Sequence, residues 1–257
     1  MDKMSKMLNR VPEVTIYFWL IKIMATTVGE TAADFLAFTV NLGLANTSYV
    51  MSGLLLIVLF NQFRLKRYVP LSYWLVVVLI SILGTLITDR LVDEFGVSLV
   101  TTNIVFSIAL VAVFGLWYLS EKTLAMHSVN TNKRELYYWA AILLTFALGT
   151  STGDYLAETS GLGYAQSALV FGALIAMVTA GFYYLQLNAV LAFWLAYILT
   201  RPLGASIGDL LSQPTKVGGL GWGTTGTSVV FLCIIASLVV YLSFKRRKPA
   251  LSTDQQD

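Results

Sequence analysis

The chain has 257 residues, of which 57% are hydrophobic and only 12% charged, with a mean hydropathy of +0.73. A soluble domain carries about 25% charged residues, so the composition excludes a soluble globular protein and predicts an integral membrane protein without a separate soluble domain. The net charge of +3 is no sign of a nucleic-acid partner, because the basic residues lie in short clusters between apolar runs.

A hydrocarbon core about 30 Å thick needs roughly 20 mostly apolar residues per helix. Eight runs meet that length, at 14–38, 46–63, 70–91, 99–119, 136–157, 164–185, 189–210 and 224–244. The first lacks a small-residue cleavage signature and reads as a retained helix. Backbone in lipid must satisfy its own hydrogen bonds, so the expected fold is all-α: a membrane domain of eight transmembrane helices over 14–244, between an N-terminal arm, 1–13, and a tail, 245–257. Thirteen basic residues fall on one side: Lys3, Lys6, Arg10, Arg64, Lys66, Arg67, Lys122, Lys133, Arg134, Lys245, Arg246, Arg247 and Lys248. Only Arg90 and Lys216 fall on the other, which predicts cytoplasmic termini.

One pattern recurs four times: Gly29-Glu-Thr-Ala-Ala-Asp34, Gly84-Thr-Leu-Ile-Thr-Asp89, Gly149-Thr-Ser-Thr-Gly-Asp154 and Gly204-Ala-Ser-Ile-Gly-Asp209, each with a leucine two residues after the aspartate. The aspartates are separated by 55, 65 and 55 residues. This spacing predicts a two-helix unit doubled and doubled again, over about 14–63, 70–119, 136–185 and 189–244. Two spans per unit give all four units the same orientation, so these are parallel repeats. Their carboxylates are expected at one depth, around a common axis, with the first, fifth and seventh spans carrying most of the site.

An intramembrane carboxylate costs about 2.5–3.5 kcal/mol on insertion scales, so such groups face a bundle interior or an aqueous path. Asp34, Asp89, Asp154, Asp209, Glu30 and Glu158 oppose only Lys22, Arg90 and Arg201 in or near this zone. The excess of acid favours a cation. Thr26, Thr27, Ser151, Thr152, Ser206, Asn46, Asn103 and Gln166 add neutral oxygens at nearby levels. Carboxylates and hydroxyls are hard ligands suited to magnesium, calcium or manganese. The single histidine, His127, lies in a loop and the single cysteine, Cys233, is alone, which disfavours a zinc, copper or bis-histidine haem site.

Each feature also has a plainer reading. The glycines let helices approach closely, and the aspartates are helix-end residues at the interface. Asp89-Arg90 with Asp93 and Glu94 reads as solvated. Lys22 is either a snorkelling residue or an internal counter-ion, too far along the helix from Glu30 to pair with it directly. Arg201-Pro202 marks a kinked, polar point in the seventh span. No phosphate-binding loop, Gly-x-Ser-x-Gly elbow or His-Glu-x-x-His pair is present, so no enzymatic activity and no ATP-driven pumping is expected.

The fourfold Gly-x4-Asp pattern, with Lys22-x3-Thr-Thr-x-Gly-Glu before Asp34 and Arg201-Pro-Leu-Gly-Ala-Ser-x-Gly before Asp209, resembles a bacterial family of membrane-anchored proteins described only by a repeat of unknown function. The resemblance spans about 15–244 and is most specific in the first and fourth copies; the second lacks the Gly or Ala that precedes the aspartate elsewhere. It implies a multispan bundle in a bacterial inner membrane, and some members are loosely linked with metal tolerance.

The expectation is therefore a secondary transporter of a hard divalent cation, manganese first, coupled to protons through the same carboxylates and holding no permanent cofactor. Asp34, Asp89, Asp154, Asp209 and Glu30 are the candidate ligands, and Lys22, Thr26, Thr27, Glu158 and Arg201 the candidate substrate or proton path. The expected partners are the lipid bilayer, the metal ion and protons, with a homo-oligomer left open. Two alternatives stand beside it: a proton-coupled carrier of a small organic cation or metabolite, its path lined by Trp74, Tyr155, Tyr164, Trp194 and Tyr197, and a non-transporting membrane scaffold or sensor.

Overall fold

A computed structural model describes residues 9–247; Lys3, Lys6 and Lys248, used above for orientation, lie outside them. The described residues form eight long helices and no strand: α1 Ile16–Asp34, α2 Leu44–Arg64, α3 Pro70–Asp89, α4 Leu99–Glu121, α5 Asn132–Asp154, α6 Tyr164–Tyr184, α7 Ala189–Ser212 and α8 Gly223–Arg247. Their starts carry expected capping chemistry. The side chains of Thr15, Ser98, Thr131 and Asn188 accept from backbone N–H groups in the first turns of α1, α4, α5 and α7, and Pro70 opens α3.

Six helices, α2, α3, α4, α6, α7 and α8, are long and apolar enough to cross a membrane. The chain is thus a multi-pass membrane protein. α1 and α5 fall outside that group, and their sequences say why: α1 carries Lys22, Glu30 and three threonines, and α5 begins Asn-Lys-Arg-Glu and ends Thr-Ser-Thr-Gly-Asp.

The odd-numbered helices form a closed inner ring in which α1 packs on α3, α3 on α5, α5 on α7 and α7 on α1. Each even-numbered helix lies outside and packs on the inner helix of the following repeat: α2 on α3, α4 on α5, α6 on α7, and α8 back on α1. Within the crossing segments, 78% of α3 and 61% of α7 is buried, against 17% for α4 and α6. That difference identifies the odd helices as the core and the even ones as the jacket.

Lipid supplies little hydrophobic force between helices, so close packing must come from small residues at the seams. Here the glycine of each repeat supplies it. A Cβ on Gly29 would strike Ser81 of α3, and one on Gly204 would strike Thr26 of α1. Gly149 faces the Cβ and Cγ of Arg201 in the same way, and a Cβ on Gly84 would lie 2.7 Å from the Cβ of Phe146. Ser81, Phe146, Arg201 and Thr26 each stand eight residues before their own aspartate, so one contact is repeated four times around the ring. The second copy's departure is also explained: Thr88, where the other copies have Ala or Gly, donates across the α3–α5 seam to the Ala147 carbonyl at 3.0 Å.

At the N-terminal ends of the inner helices an aromatic belt closes the ring. Phe18-Trp19, Tyr73-Trp74, Tyr138-Trp139 and Phe193-Trp194 stand 16 and 15 residues before the four aspartates. Each Phe or Tyr meets the Trp of the next repeat, with centroids 5.7 Å apart for Phe18–Trp74, 5.3 Å for Tyr73–Trp139, 6.2 Å for Tyr138–Trp194 and 5.8 Å for Phe193–Trp19. Such pairs contribute about 0.5–1.5 kcal/mol each beyond area burial. Outside the belt, Arg10 donates to Glu135 at 2.6 Å and to Asn132 at 2.5 Å, which ties the segment before α1 to the start of α5.

The seam contacts predict a sharp positional contrast. Gly84→Ala overpacks against α5 and should destabilise the protein by about 1–3 kcal/mol. Gly172→Ala, on the jacket helix α6 with nothing near its Cβ, should leave stability unchanged or slightly raised. Thermal unfolding of both variants in the same detergent measures the difference.

Candidate cation site

Because the four inner helices run parallel and end together, residues at equal offsets from the aspartates form rings about one axis. The last ring inside the helices is Asp34, Asp89, Asp154 and Asp209. Four residues earlier, about 6 Å along the axis, lies the ring Glu30, Thr85, Thr150 and Ala205; four residues later lies Phe38, Asp93, Glu158 and Gln213. All four aspartates, Glu30 and the whole outer ring line one cavity of about 150 Å³. Seven of the chain's 14 acidic residues are gathered there.

Three carboxylates converge within this vestibule: one oxygen from each of Glu30, Asp154 and Asp209 lies within 4.8 Å of the others. Hard cations bind carboxylate oxygens at about 2.0–2.6 Å, so two ligands of one ion can stand close to 5 Å apart. Glu30 and Asp209 are 6% and 8% exposed. Asp209 lines the cavity and, among the described residues, has no ion pair or hydrogen bond to its side chain. The three carboxylates come from α1, α5 and α7. Asp89, a candidate ligand whose plainer reading is a solvated helix end, is half-buried and lines the same cavity. Asp34 accepts a long hydrogen bond of 3.5 Å from Gln213.

Beneath the vestibule, behind Glu30, lies Arg201. Its guanidinium forms an ion pair with Glu30 at 2.8 Å, donates to Thr150 Oγ1 at 2.6 Å and to the Thr26 carbonyl at 3.2 Å, and also donates to Thr85 Oγ1. Three members of the ring four residues before the aspartates therefore hold one guanidinium on the axis. The side chain is fully buried. Arg201 enters this position because the fourth repeat has arginine where the others have Thr26, Ser81 and Phe146, and α7 continues through Pro202 to Ser212.

Lys22 lies one layer further in. It is fully buried, donates to Thr200 Oγ1 at 3.2 Å, and sits 4.3 Å and 4.2 Å from the ring centroids of Phe146 and Tyr197. Among the described residues it makes no ion pair, so both sequence readings, snorkelling and counter-ion to a carboxylate, are replaced by a cation held by aromatic faces.

Several predicted oxygens point elsewhere. The hydroxyls of Thr26 and Thr27 donate to the Ile23 carbonyl, below the vestibule. Ser151 donates to the Leu99 carbonyl, Thr152 to Asn103 and the Asn46 amide to the Leu42 carbonyl, and none of the three lines the vestibule. Glu158 stands at the exposed rim, 3.4 Å from the Tyr164 hydroxyl. Of the five rings suggested for an organic-cation path, none lines this cavity. Asp93, passed over as solvated, does line it, while Arg90 pairs outside with Glu94 at 2.8 Å.

The first three aspartates share one backbone feature. Each ends its α-helix and opens a turn of π-helix: Phe35–Thr39, Arg90–Glu94 and Tyr155–Thr159. Such widened turns are uncommon and recur at functional sites. In the fourth copy α7 instead runs three residues past Asp209 to Ser212.

This arrangement is a pseudo-fourfold acidic vestibule in a membrane-protein bundle built from four repeats. A family model described as Repeat of Unknown Function (DUF347) matches residues 17–68, 72–123, 137–187 and 192–248, and the chain belongs to that family. No curated protein and no solved structure matches the chain.

Removing one partner of a buried ion pair costs about 3–5 kcal/mol, whereas replacing both partners together is often neutral. Arg201→Met alone should therefore destabilise the protein by about 3–5 kcal/mol, and Glu30→Gln added to it should recover most of that loss. Unfolding of the two single variants and the double variant completes the cycle.

Proposed function

We propose that this protein is an eight-span secondary transporter of a hard divalent cation, manganese first, which exchanges the metal for protons at the vestibule carboxylates. The observation that supports this reading most is the convergence of Glu30, Asp154 and Asp209 in an acidic cavity at one end of a closed helical ring. An eight-span topology is consistent with the enclosure of α1 and α5, whose Lys22, Glu30, Thr31, Thr150 and Ser151 are buried against other helices and need not meet lipid. The charge bias supports cytoplasmic termini and an outward-facing vestibule. With the family resemblance, it suggests a bacterial inner membrane and favours export.

In this reading Glu30 has two competing partners. Without metal it pairs with Arg201; with metal it turns to the cation, and Arg201 falls back on Thr85 and Thr150. Asp154 and Asp209 supply the other two ligands, while Asp34 and Asp89 supply charge and proton-accepting capacity at the same level. A carboxylate that releases the metal takes up a proton, so no separate proton carrier is needed at this end.

A second reading is favoured by one specific observation. Below the vestibule, Arg201, Lys22 and the aromatic belt close the axis, as expected of a sensor that binds a cation without passing it. Flux through the protein reconstituted in liposomes separates the two.

Manganese titrated into purified protein should bind with about one ion per chain. Asp154→Asn and Asp209→Asn should each weaken binding at least tenfold, and the pair together should abolish it. Arg201→Gln should tighten binding and make thermal stability depend on added manganese. Unchanged affinity in the double aspartate variant contradicts the site, and absence of manganese flux in the intact protein favours the sensor.

A further inference from the structure

A second cavity, of about 690 Å³, lies at the opposite end of the inner helices, where the segment before α1 passes the starts of α1 and α3 and the end of α8. Its wall includes Asn9, Glu13, His127, Phe18, Trp74 and Leu242. Two of these carry buried polar atoms without a hydrogen-bond partner, Asn9 Oδ1 and Trp74 Nε1. Asn9 is 8% exposed and Trp74 2%. Polar atoms buried this deeply are normally satisfied by protein or by ordered water; Glu13 and Thr15, exposed on the same wall, make the cavity itself suited to water or a polar solute.

A single stripe of α1 connects the two cavities. Phe18, Lys22, Thr26 and Glu30 recur at four-residue spacing, on one side of the helix. Phe18 lines the second cavity, and its ring lies 6.3 Å from Tyr197. Tyr197 carries Lys22 on its face, and Lys22 bonds to Thr200. Thr26 donates to the Thr200 carbonyl, and its own carbonyl accepts from Arg201, which holds Glu30. From Phe18 to Glu30 is 12 residues, about 18 Å of helix. Both cavities therefore cut into the bilayer thickness from opposite ends, leaving a plug only three side-chain layers deep.

We infer that the second cavity is the opposite mouth of the cation path, and that Phe18, seated against Trp74, is the closed gate between this mouth and the buried Lys22. This inference rests on the transport reading. The exposed Glu13 provides a carboxylate ligand for a hard cation at this mouth. Lys22 behind the gate repels a cation until Phe18 moves and water reaches the ammonium group. In the closed state the aromatic faces stabilise that ammonium in place of water. The gate is thus apolar and its guard cationic, an arrangement that blocks leakage of the ion gathered in the vestibule.

The test uses full-length protein in liposomes with Cys233→Ser and Lys22→Cys, probed with a membrane-impermeant cationic thiol reagent. Thr15→Cys marks the face of the second cavity and Glu158→Cys marks the vestibule face. With Phe18 in place, the cysteine at position 22 should label at background rate from both faces. Phe18→Ala should raise its labelling at least tenfold from the Thr15 face only, and Trp74→Ala, which removes the other wall, should do the same. Thermal unfolding and a single symmetric gel-filtration peak in detergent check that both variants are folded, whether or not the vestibule binds manganese.

Unchanged labelling in folded variants, or faster labelling from the Glu158 face, overturns the inference. These readings require no flux, so a failed gate is distinguished from a failed transporter: the first appears in labelling and the second in manganese movement through the protein with Phe18 intact.

Discussion

Four close approaches between inner helices set the dimensions of everything else in this bundle. Gly29, Gly84, Gly149 and Gly204 each remove one Cβ at a seam, and in each case the space is filled by the next helix. In lipid, where apolar side chains gain little by leaving their surroundings, such backbone proximity is a principal source of helix association. Repeated around a closed ring, it fixes the helix separation and the relative height of the four helices. Equal height brings residues at equal offsets level with one another. The aspartates consequently meet as a ring, the four residues one turn earlier meet around Arg201, and the Phe-Trp and Tyr-Trp pairs meet as a belt.

Quasi-symmetry built the ring, and departures from it built the site. A strictly fourfold bundle with four identical inner layers would hold four like charges with no counter-charge. Here glutamate appears at one position of four, arginine at another, and lysine at a third level. Glu30 and Arg201 come from adjacent helices, α1 and α7, across the seam where the last repeat closes on the first. Their pairing does two things at once. It neutralises a buried carboxylate that would otherwise be very costly, and it holds a guanidinium on the axis with Thr85 and Thr150 as further acceptors. In the function proposed above, a cation in the vestibule would compete for Glu30 and so act directly on the pair that holds Arg201 beneath it.

Much of this was readable before the structure. The Gly-x4-Asp repeats, their spacing and the apolar runs located the helices to within a few residues, and the parallel orientation required the aspartates to meet. The cyclic offset was not readable, because α2, α4, α6 and α8 are apolar on every side and carry no stripe to show which neighbour they cover. The aromatic belt left a legible trace, an aromatic-Trp dipeptide 15 or 16 residues before each aspartate, but large rings near span ends read first as interfacial anchors. The partner of Arg201 was hidden for a different reason. Its ion pair joins residues 171 positions apart, and the ring closure that brings them together is a property of the assembled fold. Thr26 and Thr27 were offered as ligands from composition; in a helix, a hydroxyl without a nearer partner bonds back to its own backbone.

In the proposed function the ring holds a cation between Glu30, Asp154 and Asp209. Crystals grown with manganese and measured at its absorption edge test this most directly. One strong anomalous peak is expected on the axis, within bonding distance of those three carboxylates, with the Glu30–Arg201 contact broken. A map with no axial peak, or with manganese only at the exposed rim near Asp93 and Glu158, would contradict it.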